Sequence, residues 1–200
     1  MYNTMNQQQQ QQQQGYPNLA NPGQDPKLLQ ALQSTFARVD NNGDGRISAV
    51  ELREALRMLG LHYFNEETCR LLVNLHDFDG NGMPDGTIDI QEFVSMWTYI
   101  NQWRAHFQSF DADGSGSIDT NELQQALYRF GFNLTHELVS LLIRKYDRYG
   151  QGSITFDSFV QCCVTVQGLT RSFRQFDHTG TGIIQISYHD FLRLVMTQNI

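Results

Sequence analysis

The chain has 200 residues, 40% hydrophobic and 12% aromatic, which is enough apolar material to bury a substantial core, and its 14 basic and 21 acidic side chains leave a net charge of −7. That balance provides no charge-driven attraction to nucleic acid or to anionic lipid. Three cysteines, Cys69, Cys162 and Cys163, are odd in number and wrongly spaced for a disulfide framework or a zinc site, and the six histidines show no metal spacing, so a reducing compartment fits.

The first residues have neither the basic end nor the apolar run of a signal peptide, and no later run approaches spanning length, so a cytoplasmic location is expected. Unbroken glutamine from 7 to 14, followed by Gly, Pro, Asn and Tyr up to Pro26, contains little that can pack. Residues 1–26 therefore read as a disordered Gln-rich leader, either a flexible extension or an interaction or self-association tail. From Lys27 the texture changes, and a folded domain is expected over 27–200. Leu28, Leu29, Leu32, Phe36 and Val39 recur at helical spacing and lead straight into Asp40.

Over the next twelve residues, oxygen donors alternate. Asp40, Asn42 and Asp44 stand at places 1, 3 and 5, Arg46 offers its carbonyl at 7, and Ser48 and Glu51 stand at 9 and 12. The pattern returns as Asp111, Asp113, Ser115, Ser117 through its carbonyl, Asp119 through a water, and Glu122. A hard, oxygen-seeking cation requires this alternation, the glycine at place 6 (Gly45, Gly116) that turns the early donors inward, and the bidentate glutamate at place 12. Both loops read as calcium sites of the EF-hand type.

The isoleucine at place 8, Ile47 and Ile118, finds further members at Ile88, Ile154 and Ile184, each the residue that pairs loops in a short β-bridge. In the second loop Ile88 and Glu92 fit, but counting back puts Asn81 and Met83 at places 1 and 3. Asp77, Asp79 and Asn81 look instead like an orthodox opening followed by a four-residue insertion around Pro84. The fourth loop (Asp147, Tyr149, Gln151, Gly152, Thr155, Ser158) keeps the turn and loses the cage. The fifth has Asp177, Thr179 and Thr181 but Tyr188 at place 12, with Asp190-Phe191 displaced by two, so calcium there is expected to be weak or absent.

Spacing sets the architecture. Twenty-five residues separate Glu51 from Asp77 and twenty-four separate Glu122 from Asp147, broken at Gly60-Leu61 and Gly131-Phe132 and restarted at Asn65 and Thr135, which predicts helix, turn, helix. Eighteen residues separate Glu92 from Asp111, and again Ser158 from Asp177, which predicts single shared helices about 27 Å long. The fold class is all-α: five EF-hand units with shared helices and short β-bridges between paired loops, hand one with two and three with four. Hand five has no mate in its own chain. Its apolar face, Phe173, Phe176, Ile184, Phe191, Leu192 and Val195, predicts a homodimer or heterodimer.

Five hands with shared helices, a soft low-complexity leader and a degenerate last hand resemble the penta-EF-hand family from Leu28 to Ile200, and stretches 96–103, 143–148 and 184–188 resemble one branch of it most. The resemblance implies calcium at hands one and three and dimerisation through hand five with another penta-EF-hand chain. It also implies calcium-dependent docking of Pro-rich segments of membrane-trafficking partners, with indirect recruitment to membranes. By position, Trp103 and Phe130 are then expected to line the peptide pocket. The resemblance also allows a regulatory subunit of a calpain-type protease, and a passive buffer is the blander alternative; in none of these readings is the chain itself catalytic. Two departures stand out, the insertion in hand two and the glutamine leader.

Trp97, Tyr99, Trp103, Phe107 and Phe110 ride the shared helix before loop three. Phe107 and Phe110 read as core, and Trp103 as either core or docking face. Glu122 begins the helix leaving loop three, so it is expected to reach an ion only if that helix swings toward it, with Phe130 beside Gly131 as a gate.

Overall fold

The structure, a computed structural model, describes residues 25–77 and 85–196. The expected disorder of residues 1–24 and the assignments of Asp79, Asn81, Met83 and Pro84 lie outside those residues. Helix α1 spans Pro26–Val39. Asp25 caps it by accepting from Lys27 and Leu28 N–H, and proline is tolerated at the first helical position because its missing N–H has no intrahelical acceptor there. The expected boundary between residues 26 and 27 therefore falls one residue inside a helix that Asp25 and Pro26 start.

The remaining elements follow in chain order: β1 Ile47–Ser48, α2 Ala49–Met58, α3 Glu66–His76, β2 Thr87–Ile88, α4 Ile90–Phe110, β3 Ile118–Asp119, α5 Thr120–Arg129, α6 His136–Tyr146, β4 Ser153–Ile154, α7 Phe156–Phe176 and α8 Tyr188–Met196. The two shared helices, α4 and α7, are each 21 residues, about 31 Å. Gly60 and Gly131, both at φ 88°, end α2 and α5 in the left-handed conformation that glycine adopts without a Cβ penalty. Asn65 and Thr135 cap the restarts.

Places 9 and 12 of the loops also serve as helix start signals. Ser48 with Glu51, Asp89 with Glu92, and Asp119 with Glu122 each form a reciprocal capping box. One pair of residues thus closes the loop and begins the leaving helix, so ligand position and helix direction are linked covalently.

The loops pair as the isoleucines predict, Ile47 with Ile88 and Ile118 with Ile154, both antiparallel. Ile184 enters no strand among the described residues. A continuous apolar core runs through both hand pairs, joined where α7 packs on α3 and α4. Phe156 meets Phe64 at 5.8 Å and Phe107 at 5.4 Å, which ties the second pair to the first through edge-to-face rings. Helix α8 packs on α7, leaving hand five at the end of the molecule.

In hand four, where Ser158 stands at place 12, an ion pair joins the start of the loop to its end. Arg148, at place 2, reaches 2.7 Å to Asp157, which is fully buried beside Ser158 and also accepts from Thr155 Oγ1. Removing the guanidinium strands a buried carboxylate, which costs about 2–4 kcal/mol. Arg148→Met is therefore expected to lower the melting temperature by about 5 °C or more, with the dichroism of the folded chain unchanged. An unaltered melting point would show that Asp157 finds other solvation.

Candidate metal centres

Loop three follows directly from the end of α4. Asp111 caps that helix, and its two carboxylate oxygens then accept from Ser115 N–H at 2.9 Å and Gly116 N–H at 3.0 Å, folding the loop around the side chain. Asp113 accepts from Ser115 N–H at 2.9 Å, which holds its carboxyl below the usual range through the backbone and side chain of Ser115. Ser115 Oγ donates to the Ser117 carbonyl. Asp119 accepts from Asn121 and Glu122 N–H at the start of α5.

Glu122 lies across the loop rather than away from it. Its Oε1 accepts from Ala112 N–H at 2.8 Å and its Oε2 from Asp119 N–H at 3.0 Å. Asp111, Asp113 and Glu122 each bring a carboxylate oxygen to within 4.8 Å of the others. In this structure the capping box aims Glu122 inward, toward the loop. Three like charges this close repel one another by about 1 kcal/mol per pair even in water, so the arrangement fits a hard divalent cation among the oxygens.

Loop one repeats the plan. Asp40 accepts from Gly43 and Gly45 N–H at 2.8 and 2.9 Å, Asp44 from Arg46 N–H, and Glu51 from Ser48 N–H and Ser48 Oγ, each at 2.9 Å. Asn42 donates to Asp44 and accepts from its N–H. Burial pushes the Glu51 carboxyl up, but hydrogen bonds from Ser48 and Asn41 outweigh it and hold it below its ordinary value. The Arg46 side chain leaves the loop for Asp85 of hand two, so only its carbonyl can serve place 7.

Hand two closes in the same way across a longer span. Gly86 N–H donates to Asp77 at 2.8 Å, as Gly45 does to Asp40 and Gly116 to Asp111, but over nine residues rather than five. Asp77 thus takes the part of place 1, in keeping with the reading of an orthodox opening at Asp77 followed by an insertion. Hand five has Asp177 accepting from Thr179, Thr181 and Gly182, with Tyr188 exposed. Its helix starts two residues late, at place 12, with Ser187 and Asp190 hydrogen-bonded across its first turn. The displaced acid thus serves the helix.

The far end of α5 reaches a second feature. A cavity of about 330 Å³ is lined by Tyr99, Gln102, Trp103, His106, Phe130, Phe132, Cys163 and Gln167. Trp103 and Phe130 meet edge to face at 5.7 Å, and Phe130 also meets Phe110, the residue before Asp111, at 5.6 Å. Phe107, Phe110 and Trp97 are core, whereas Trp103 is half-buried and forms a wall. Burial pushes the Cys69 and Cys162 thiols up to about 12 and Cys163 well above its ordinary value, so none offers a thiolate nucleophile at neutral pH.

A family model described as an EF-hand domain pair matches residues 29–98 and 100–164. Peflin of Danio rerio is 39% identical over 92% of this chain, which spans 66% of that protein's length. Sorcin of Homo sapiens is 40% identical over 92% of this chain and 88% of its own, and grancalcin of Mus musculus 33% over 92% and 80%. A solved homolog of programmed cell death 6 protein from Leishmania major Friedlin superposes with a TM-score of 0.66 at 29% identity, covering 84% of this chain and 94% of the other. That protein represents the branch which stretches 96–103, 143–148 and 184–188 resemble. With five loops on shared helices and relatives of this kind, the chain belongs to the penta-EF-hand family of calcium-binding proteins.

Proposed function

We propose that the chain is a non-catalytic calcium sensor and adaptor, with hands one and three as its working sites. It would reside in the cytoplasm, dimerise through hand five, and present the Trp103–Phe130 cavity to Pro-rich segments of trafficking partners at membranes. One observation carries this reading. Helix α5, ten residues long, has Glu122 in its first turn and Phe130 as its C-terminal cap, so one rigid element carries both a loop carboxylate and a wall of the cavity.

Bound calcium supplies the positive charge that lets Asp111, Asp113 and Glu122 stay close. Without that charge their repulsion favours moving Glu122 outward, and α5 carries Phe130 with it. Phe110 against Phe130 adds a second link between the loop and the wall. An aromatic cavity suits a Pro-rich ligand, which is already extended, loses little entropy on docking and presents flat faces to the rings.

Tryptophan emission tests the linkage. Trp97 is fully buried with its Nε1 unpaired, so Trp97→Phe removes no hydrogen bond and leaves Trp103 as the reporter. Emission from Trp103 is expected to shift on calcium addition and again on adding a Pro-Tyr-rich peptide. No calcium-dependent shift, with equal peptide binding in chelator and in calcium, would leave the buffer reading. Copurification with a protease chain would favour the subunit.

A further inference from the structure

Charge on this acidic chain is unevenly placed. A cavity of about 610 Å³ lies where the two hand pairs meet, lined by Glu67 and Arg70 of α3, Lys145 and Tyr146 at the end of α6, Arg148 of loop four and Gln161 of α7. Cations outnumber its single carboxylate three to one, on a chain whose net charge is −7.

Those cations are only partly neutralised. Arg148 gives Nη1 to the buried Asp157 at 2.7 Å, and the rest of its donor fork has no partner among the described residues. Arg70 meets Glu66 at 2.6 Å one helical turn away, with the side chains 66% and 39% exposed; an exposed pair of that kind is weak and screened by salt. Lys145 forms no ion pair among the described residues. Its Nζ stands 5.3 Å over the Tyr146 ring, which holds the ammonium at the wall, and the ring is itself fixed by its hydroxyl donating to Thr165 Oγ1 at 3.1 Å.

A separate observation points to a ligand. Gln161 is 8% exposed, and its Oε1 accepts from Thr68 Oγ1 at 3.4 Å. Its Nε2 has no partner among the described residues and is not sealed into the core, so its N–H donors open onto the cavity that Gln161 lines. Donors on so buried an amide are normally matched by an acceptor.

Apart from Glu67, the wall thus offers donors: guanidinium, ammonium and amide, arriving from three helices and a loop. A flat carboxylate presents its oxygens in one plane and suits one guanidinium fork. A phosphate, with tetrahedrally arranged oxygens and a larger charge, can meet a fork, an ammonium and an amide together. The volume is that of a small-molecule site.

We propose that this cavity binds a small phosphorylated molecule, with Arg70, Lys145 and Arg148 holding a phosphate group and the Gln161 amide donating to it. The ligand bridges α3 of the first hand pair to α6 and α7 of the second, so its binding restrains the two pairs relative to each other. The site is separate from the calcium loops and from the Trp103–Phe130 cavity.

The full chain, stripped of calcium so that no metal complexes the anion, is titrated with pyrophosphate by calorimetry at low salt. One saturable site is expected, with a dissociation constant of about 10⁻⁴ M, the strength of a few charge-assisted hydrogen bonds in a partly open site. Arg70→Gln with Lys145→Gln, both at exposed positions, is expected to weaken binding at least about tenfold, and Glu67→Gln to tighten it about threefold. Arg53→Gln with Arg174→Gln removes the same charge from outside the cavity and is expected to change the affinity less than about twofold. The proposal is overturned by the absence of saturable binding, by equal losses in the two double variants, or by acetate competing as well as phosphate at matched ionic strength. Vesicles of phosphatidylcholine and phosphatidylserine test a lipid surface: capture that depends on Arg70 and Lys145 and that pyrophosphate does not displace would overturn the small-molecule assignment.

Discussion

Replacing Glu51 and Glu122 together by alanine is expected to abolish micromolar calcium binding. The parent chain should titrate with two sites between about 10⁻⁷ and 10⁻⁵ M, and the double variant with none in that range. Each glutamate stands at place 12, where the carboxylate gives both its oxygens to the ion. Each is also the third residue of a capping box, so alanine additionally costs the leaving helix about 1 kcal/mol. Glutamine separates these roles. Glu51→Gln with Glu122→Gln keeps a side-chain oxygen for the Ser48 and Asp119 N–H groups while losing the charge, so it should retain helix content and still lose strong binding. Micromolar affinity in either double variant would show that the oxygen cages lie elsewhere.

Much of this molecule is legible in its sequence because one twelve-place loop pattern recurs along it. An oxygen-seeking ion restricts places 1, 3, 5 and 12 to a few residue types, and the isoleucine at place 8 then locates even the loops that have lost their ligands. Helix breaks were readable where glycine must take positive φ, at Gly60 and Gly131. Side-chain direction was less accessible. Asp77 and Gly86 meet across nine residues, a spacing that a fixed twelve-place count misses, although Asp85-Gly86-Thr87-Ile88 repeats the Asp44-Gly45-Arg46-Ile47 pattern and signals the register. Nothing in the sequence pairs Arg148 with Asp157, and only their geometry shows one closing a loop on the other. The capping box that turns Glu122 toward Ala112 was likewise visible only in the geometry.

Electrostatics and packing thus meet in α5 and in the hand pairs around it, but hand five follows a different rule. Its helix α8 buries Leu194 against the rest of the chain, and its other large apolar side chains face outward. Ile183 and Met196 are each 79% exposed, Tyr188 is 76% and Phe191 50%, with Leu192 and Val195 also exposed. Of the side chains expected at the interface, Phe173, Phe176 and Ile184 are half-buried within the monomer, so the free surface lies mainly on α8 and the stretch before it. In the other four loops the isoleucine at place 8 is buried and bridged, whereas Ile184 has no bridge among the described residues.

A contiguous apolar face beside an unpaired loop edge fits a second copy best, because a two-fold related hand five offers the same face and an antiparallel partner for the same edge. The full chain is therefore expected to sediment as a dimer at about 10 μM, with Phe191→Asp plus Val195→Asp shifting it to monomer. Two carboxylates forced into an apolar contact cost several kcal/mol, which weakens association by at least about a hundredfold. Neither side chain supports the monomer core, so the variant should keep its dichroism and its calcium titration. A parent chain that sediments as a monomer at tens of micromolar, or a double variant that remains dimeric, would place the interface elsewhere.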